Sequence, residues 1–177
     1  QFWRALEKDR VNQAGNKIGA RDLPAVTQLF TEPYMVKFLL HNTLGAWRAG
    51  KVLAARPELA TDAADETALR AAVSPPGYAF DMLRFVRGNG DGPWMPAAGN
   101  FAGWPETAAA IRALDPCCGS GHFLTEMLAI LAALRADEEN LSPAQAVAAV
   151  LSDNLFGLEL DGRCVQIAAF AVALTAW

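Results

Sequence analysis

The sequence predicts an α/β fold, in which a parallel sheet carries helices, and two stretches of the chain indicate it. Residues 110–124 pass from a short apolar segment through a glycine turn into an apolar helix. Residues 154–174 then repeat the order of strand, acidic turn and helix. A strand, a glycine turn and a helix form the first unit of nucleotide-binding α/β folds. The helix after such a turn directs unpaired N–H groups at whatever binds there.

Composition and charge restrict the class of protein. The 177 residues are enough for one domain with a substantial core. We find neither an apolar run that could span a bilayer nor a signal-peptide core, and we expect a cytoplasmic protein without membrane contact. Three cysteines suit a reducing compartment, and no Cys/His spacing is typical of a metal site. The formal net charge of −4 argues against a main nucleic-acid surface on this chain. Because the chain does not begin with Met, we expect it to be part of a longer protein.

A capped helix is predicted in the first quarter of the chain, after a polar connector over residues 1–23. Thr31 is a suitable N-cap residue, and Pro33 is tolerated in the first helical turn. We expect Gly45 to end this helix. His41 then falls near the C-terminal end, where a positive charge is favourable.

Residues 46–109 are predicted to be an insert between the two parts of the site. A surface helix over residues 66–73 and a turn-rich stretch over 87–93 stand out. The Asn-Gly and Asp-Gly-Pro sequences of that stretch are turn signals. They predict a strand before the turn, and this strand can be part of a hairpin. We expect Trp94 and Trp104 to pack inside the protein rather than to stack on bases, because no Lys or Arg is interleaved with them.

The glycine turn and two further stretches resemble sequence motifs of one family. The turn resembles motif I of the S-adenosylmethionine-dependent DNA amino-methyltransferases, in the sequence Asp115-Pro116-Cys117-Cys118-Gly119-Ser120-Gly121-His122-Phe123-Leu124. It differs from a dehydrogenase fingerprint, and a P-loop would carry Lys where His122 stands. Residues 28–33 resemble motif X, and Gly157–Asp161 resembles motif II. In this order the motifs are similar to those of γ-type adenine-N6 DNA methyltransferases. The nearest group is the PglX-like methyltransferases of BREX phage-defence systems, together with related type II restriction–modification methylases.

The resemblance implies a partial Rossmann-like S-adenosylmethionine-dependent methyltransferase fold over residues 24–177. Motif X then occupies residues 28–40, the insert 46–109, motif I 110–124 and motif II 154–163. S-adenosyl-L-methionine is the implied cofactor, and the family's mechanism uses no metal. The residues implied to surround the cofactor are Phe30, Thr31, Asp115, Pro116, Cys117, Gly119, Ser120, Gly121, Phe123, Glu159 and Leu160.

The family's motifs also imply a role for several of these residues. Phe30 and Thr31 line the methionine end of the cofactor. The glycine N–H groups and the helix start hold its carboxylate, as helix N-termini hold anions. Asp115 holds the ammonium, directly or through water, and Glu159 holds the ribose. Asp161 shapes the start of the next helix.

The stretch Ser74-Pro75-Pro76-Gly77-Tyr78 approximates the family's catalytic Asn/Asp/Ser-Pro-Pro-Tyr motif. Gly77 interrupts that motif, and the stretch precedes motif I where the family's order places it after. We therefore predict a loop without a catalytic role, and no catalytic residue in this chain. Double-stranded DNA is expected to bind through regions outside the chain, and this segment alone is expected not to transfer methyl groups.

Two other interpretations stay open. The chain could be a non-catalytic, methyltransferase-like scaffold in a complex with other defence-system proteins, although the glycines and Glu159 favour an enzyme. A small-molecule or RNA methyltransferase would differ in other domains, although motif X ahead of motif I favours DNA. An open sheet edge is also expected to favour self-association.

Overall fold

The computed structural model describes residues 6, 9–11, 13, 15, 31–88, 90–99 and 101–177. The chain divides into two compact units, residues 1–32 and 33–177, and all elements named below belong to the second. No helix in the described part of the chain is long and apolar enough to cross a membrane.

The second unit begins with a long helix in three parts. The α1 helix (Pro33–Leu40) and the α2 helix (Ala46–Ala55) are joined by a π-helical turn, His41–Gly45. Pro33 lies in the first helical turn, as the sequence predicts, but the helix begins at Pro33 itself, one residue later than an N-cap at Thr31 requires. The prediction that Gly45 ends the helix is wrong, because Gly45 has helical dihedral angles of −64° and −42°. A Cβ atom there would lie 3.0 Å from the ring of Phe80, so glycine serves close packing at this position.

His41 lies in the π-helical turn rather than at a helix end. Its side chain is 1% exposed, and burial, the largest effect, lowers its pKa from the ordinary value. The prediction of a charged His41 that interacts with a helix dipole is therefore wrong. Burial without a directly paired anion favours the neutral imidazole instead.

Two helices and a hairpin follow. They are α3 (Pro57–Asp62), α4 (Glu66–Val73), β1 (Phe85–Arg87) and β2 (Trp94–Pro96). The predicted surface helix is α4, whose N-terminus is capped by Asp65 through a 2.8 Å bond from the backbone N–H of Ala68. Strands β1 and β2 pair antiparallel with Val86 opposite Met95, so the turn signals mark a hairpin.

The two tryptophans of the insert differ in burial. Trp94 is half-buried, and its indole N–H donates to the carbonyl of Ala63 over 3.1 Å. Trp104 is 39% exposed and packs against Phe101 with a ring-centroid distance of 4.6 Å. The prediction of interior packing is wrong for Trp104.

The rest of the unit contains the parallel strands and their connection. After a 3₁₀ turn at Ala108–Ala110 come β3 (Ala113–Asp115), α5 (His122–Glu139), α6 (Pro143–Asp153), β4 (Leu155–Gly157) and α7 (Gly162–Ala176). Strands β3 and β4 pair in parallel with Leu114 opposite Phe156. Parallel neighbours need a long crossover, which α5 and α6 provide here. The predicted α/β class is confirmed, with two strands in each sheet of the described residues.

Helix α5 supplies much of the core and is fixed at its C-terminal end by a buried polar cluster. Arg135, only 6% exposed, donates to Glu139 (2.6 Å), Asp153 (3.0 Å) and Asn154 (3.1 Å). The amide of Asn154 donates in turn to the carbonyls of Ala108 and Ile111, each over 2.8 Å. This cluster therefore fixes α5 against the segments that enter β3 and β4. The residues of α5 in the hydrophobic core are Leu124, Met127, Leu128, Ile130, Leu131 and Leu134.

Candidate functional site

The candidate site lies where β3 and β4 end side by side, next to the N-terminus of α5. Backbone hydrogen bonds continue the parallel pairing beyond the strands. The N–H of Leu158 donates to Asp115 O, and the N–H of Cys118 donates to Leu158 O, each over 2.9 Å. The loop after β3 and the loop after β4 are thereby held together. Ligands of open α/β sheets bind outside the carboxyl ends of the strands, at such an edge.

Two glycines give the loop after β3 its shape. Gly119 and Gly121 have φ angles of +53° and +87°, in the left-handed region that favours glycine. A Cβ atom on Gly121 would lie 3.1 Å from the Cα and Cβ atoms of Ala168, so α7 packs directly against the turn. A Cβ atom on Gly119 would meet no atom within 4 Å. The turn is therefore closed on one side by α7 and open at Gly119.

Glu159 joins the two loops through its carboxylate. One oxygen, Oε2, accepts the N–H of Gly119 over 2.8 Å. The other, Oε1, accepts the N–H groups of Leu160 (2.7 Å) and Asp161 (3.0 Å). These bonds, first that from Asp161 N–H and then those from Gly119 and Leu160, hold the pKa of Glu159 below its ordinary value. A carboxylate offers about four acceptor positions, so Glu159 is ionised and can accept a further donor.

Acidic side chains also shape both loops. Asp115 ends β3, is half-buried, and accepts the N–H of Cys117 over 3.1 Å. Asp161 accepts the N–H of Arg163 over 3.0 Å and so caps α7, which confirms its expected place at the start of that helix. With Glu159, these residues place three carboxyl groups at the end of β3 and in the loop that follows β4.

The cysteines of the turn are free thiols that differ in exposure. Cys117 is exposed, whereas Cys118 is half-buried and its Sγ lies 3.3 Å from where Gly157 would carry a Cβ. Burial, reinforced by the charges of Asp115 and Glu159, raises the pKa of Cys118. A thiol that stays protonated is a poor nucleophile, so the surroundings of Cys118 do not favour a nucleophilic role for this residue.

The structure brings most of the predicted site residues into these two loops. Asp115, Gly119, Gly121 and Glu159 are joined by the bonds and contacts above. Phe123 packs against the core at the start of α5, and Ser120 is half-buried. The remaining predicted residues of the loops are exposed, namely Pro116, Cys117 and Leu160.

The structure does not test the two predicted motif X residues, Phe30 and Thr31. Phe30 lies outside the described residues. Thr31 is half-buried and belongs to the first compact unit, whereas the glycine turn belongs to the second. Contacts of both residues with a cofactor stay predictions.

Sequence reasoning missed Gly157 as a packing position. A Cβ there would lie 2.9 Å from Leu124 Cδ1, so the end of β4 approaches the first turn of α5 closely. Its position inside the predicted strand, residues 154–161, was the signal available, since glycine within a strand often marks a close approach. Gly157 helps to line an open cavity of about 240 Å³ beside Glu159, together with Cys118 and Val165.

A larger cavity of about 560 Å³ lies between the π-helical turn, Trp104 and β3. Its described lining is uncharged apart from Arg112. A charged ligand needs polar partners in its site, and this cavity offers fewer charged groups than the loops after β3 and β4. Those loops are therefore the better candidate for a site that holds a charged ligand.

Comparison with known proteins agrees with the motif analysis. No protein-family model matches the chain. The adenine-specific methyltransferase BrxX of Escherichia coli O9:H4 (strain HS) is 30% identical over 177 residues, which are 99% of this chain and 13% of that protein. The adenine-specific methyltransferase PglX of Lacticaseibacillus casei (strain Zhang) is 30% identical over 174 residues, which are 98% of this chain and 13% of that protein.

The chain thus spans 13% of the length of the curated relatives that it matches. The similarity extends over nearly all of this chain, including both loops of the candidate site. The predicted resemblance to PglX-like adenine-specific methyltransferases is therefore confirmed, and this chain is homologous to one segment of those proteins.

Proposed function

We propose that this chain forms the S-adenosylmethionine-binding part of a site-specific DNA adenine-N6 methyltransferase that acts in BREX-type phage defence or restriction–modification. The observation that carries the proposal is the bridge of Glu159 to the N–H of Gly119, over 2.8 Å. This bond holds an ionised carboxylate, in the loop after β4, beside the glycine turn that precedes α5. In the proposal, β3 and β4 are the first strands of a larger Rossmann-like sheet.

The residues present fit the chemical groups of this cofactor. Its carboxylate suits the first turn of α5, where backbone N–H groups have no partner within the helix. Its ammonium suits Asp115, a half-buried acid at the end of β3. A ribose hydroxyl suits the remaining acceptor position of Glu159. The open space at Gly119 lets a ligand approach the backbone.

When bound, the cofactor supplies a methyl group on a sulfonium, which is electrophilic. The residues of this chain bind and orient it, and they exclude water on the side that α7 covers. The target adenine is expected to leave the duplex before it reacts, as bases do in such enzymes. We assign that step, DNA contact and target recognition to residues outside this chain, because its sequence has no uninterrupted Asn/Asp-Pro-Pro-Tyr motif.

The scaffold alternative is supported by one observation. Three backbone N–H groups already occupy the carboxylate of Glu159, and these bonds could serve to lock the loops without any ligand. In that case the same geometry would be structural, and the chain would bind other defence proteins instead of a cofactor. Cofactor binding separates the two functions.

The test is calorimetric titration of S-adenosylmethionine into the complete gene product and into this chain. We expect Glu159→Ala to weaken binding about tenfold, because hydrogen bonds to charged groups contribute about 1.5–3 kcal/mol. Glu58→Ala is the matched control, since Glu58 is exposed in the first turn of α3.

Two outcomes would count against the proposal. Absence of binding to a folded complete gene product, judged by circular dichroism, would favour the scaffold. Equal affinity for Glu159→Ala and Glu58→Ala would remove Glu159 from the site. Transfer of labelled methyl groups to adenine in DNA by the complete gene product completes the test.

A further inference from the structure

A loop of the insert, residues 74–83, forms hydrogen bonds both to the long first helix and to α5. This loop contains the proline-rich stretch for which no catalytic role is predicted. Its Tyr78 hydroxyl lies between His41, in the π-helical turn, and Glu126, on α5. Glu126 is one helical turn after His122, the first residue of α5, so the bridge reaches the end of α5 that adjoins the candidate site.

The three side chains form a directed chain of hydrogen bonds. The backbone N–H of Met82 donates to His41 Nδ1 over 3.1 Å, so the imidazole proton resides on Nε2. His41 Nε2 lies 2.9 Å from the Tyr78 oxygen and donates to it. The Tyr78 hydroxyl donates its own proton to the Glu126 carboxylate. His41 is therefore the donor and Glu126 the acceptor, and the Tyr78 hydroxyl links them by accepting from one and donating to the other.

The π-helical turn holds the loop at several points. Asn42 donates to Met82 O over 2.9 Å and accepts the N–H of Arg84 over 3.0 Å. Phe80 is fully buried against Gly45 and packs edge-on to His41 and Tyr78, at ring-centroid distances of 5.5 and 5.6 Å.

Within the loop, the N–H of Phe80 donates to the Ser74 hydroxyl over 3.0 Å. Tyr78 is thus presented by a fixed loop, and π-helical turns often occur at functional sites.

The protonation states needed for this chain are favoured by the surroundings. Burial, followed by the hydrogen bond and charge of Glu126, raises the pKa of Tyr78, so its hydroxyl stays a donor. Burial lowers the pKa of His41 against the opposing charges of Glu126 and Asp81, while Lys37 adds to the lowering. The imidazole stays neutral, as the bond from Met82 requires.

We propose that Tyr78 is a positioning residue, whose hydroxyl fixes the first turns of α5 against the long helix and thereby sets the affinity of the glycine turn for S-adenosylmethionine. The inference rests on the proposed function in so far as the ligand is this cofactor. Glu126 lies in α5 one turn beyond the groups that are proposed to hold the methionine carboxylate. A bridge at that position limits rotation and displacement of the helix start, and a 1 Å shift there misaligns its N–H donors.

The test compares Tyr78→Phe with Trp94→Phe in the complete gene product. Tyr78→Phe removes the bridging hydroxyl and keeps the ring that packs on Phe80. Trp94→Phe removes a hydrogen bond of the same insert, from the indole to Ala63 O, that involves none of the three residues. Titration of S-adenosylmethionine gives the affinity, and hydrogen exchange gives the protection of amides in residues 122–130.

We expect Tyr78→Phe to weaken cofactor binding about tenfold and to accelerate exchange in the first turns of α5, because it removes a hydrogen bond to a charged group. Trp94→Phe should leave both unchanged. Glu126→Gln should weaken binding similarly, and the double variant Tyr78→Phe/Glu126→Gln should bind no more weakly than the poorer single variant. Such non-additivity is the sign of one shared bond.

Unchanged affinity in a folded Tyr78→Phe variant would overturn the inference, as would additive losses in the double variant. Failure of the unsubstituted protein to bind the cofactor would overturn the proposed function and the cofactor step of this inference together. Hydrogen exchange would still decide, on its own, whether Tyr78 fixes the start of α5.

Discussion

The two ends of α5 are held by different kinds of bond. At the C-terminal end, the buried guanidinium of Arg135 donates to three side chains, and Asn154 extends that cluster to backbone carbonyls. At the N-terminal end, Gly121 begins the helix from a left-handed conformation, and the loop before it donates the backbone N–H of Gly119 to Glu159. The C-terminal end is fixed by side chains whose hydrogen-bonding groups are all paired. The turn that begins the helix is shaped by backbone groups, and the Tyr78–Glu126 side-chain bridge lies one helical turn further along.

The difference separates stability from binding within one helix. A buried cluster whose polar groups are all paired resists change, because breaking any member leaves others unsatisfied. A backbone turn that is open at Gly119 leaves room for a ligand. Variants at the C-terminal end should therefore change the free energy of unfolding and leave affinity unchanged, whereas variants at the N-terminal end should change affinity as well.

The largest loss of stability is expected for Asn154→Ala. Asn154 is fully buried, donates to Ala108 O and Ile111 O, and accepts from Arg135. Its removal leaves buried partners unsatisfied, so we expect about 3 kcal/mol of destabilisation in urea unfolding. Cofactor affinity measured on the folded variant should stay within about twofold. A stability loss below about 1 kcal/mol, or a large loss of affinity, would contradict the division between the two ends.

Gly121→Ala tests the N-terminal end. The variant places a Cβ at a φ of +87° and 3.1 Å from the Cα and Cβ atoms of Ala168. Gly103→Ala is the matched control, because Gly103 has a φ of +85° with nothing within 4 Å. We expect about 2 kcal/mol of destabilisation for Gly121→Ala, about 1 kcal/mol for Gly103→Ala, and loss of cofactor affinity in Gly121→Ala alone. If both variants lose a similar free energy of unfolding, α7 shifts easily to make room for the new methyl group.

The smallest expected effect is the dependence of stability on pH. Burial lowers the pKa of His41, whereas the unfolded chain keeps the ordinary value of about 6.5. Below that pH the unfolded state binds the additional proton, so the free energy of unfolding should fall as the pH falls through about 6.5. Glu139 and Glu159, whose pKa values are also lowered, add a separate loss below about pH 4.3, their ordinary value.

Urea unfolding between pH 7.5 and 5.5 measures the part that His41 contributes, and we expect a loss of less than about 1 kcal/mol. His41→Asn keeps an acceptor for Met82 N–H but has no titrating group. In that variant the slope over this pH range should vanish, whatever the absolute stability. A slope that persists in His41→Asn would assign the effect to another group.

Local sequence chemistry predicted the parts of the site that depend on neighbouring residues. Gly119 and Gly121 adopt left-handed backbone conformations, and Asp161 caps a helix. The neighbouring residues in the sequence are sufficient to predict each of these features. Pro33 at the start of α1 and Gly90, which has a φ of +79° between the two strands of the hairpin, are of the same kind. In each case one residue type determines a dihedral angle or supplies a cap.

Contacts between distant residues were not predictable in the same way. Tyr78 contacts His41 and Glu126, which lie 37 and 48 positions away in sequence. Gly45 has the sequence context of a helix end, yet Phe80 packs on it. The sequence alone does not indicate that Arg135 and Asn154 form a hydrogen bond, because the bond depends on how the helices pack. Such pairs follow from packing, which a single sequence does not specify.

The parallel pairing of β3 with β4 has a consequence for the order of folding. Ala113 meets Leu155 only after the chain between them has turned back, and closing such a long loop is costly until the intervening helices have collapsed it. We therefore expect α5 and α6 to dock first, so that the Arg135 cluster is an early structure. The bond from Gly119 to Glu159 then forms last. A folding intermediate is therefore expected to have docked helices α5 and α6 but no ordered glycine turn.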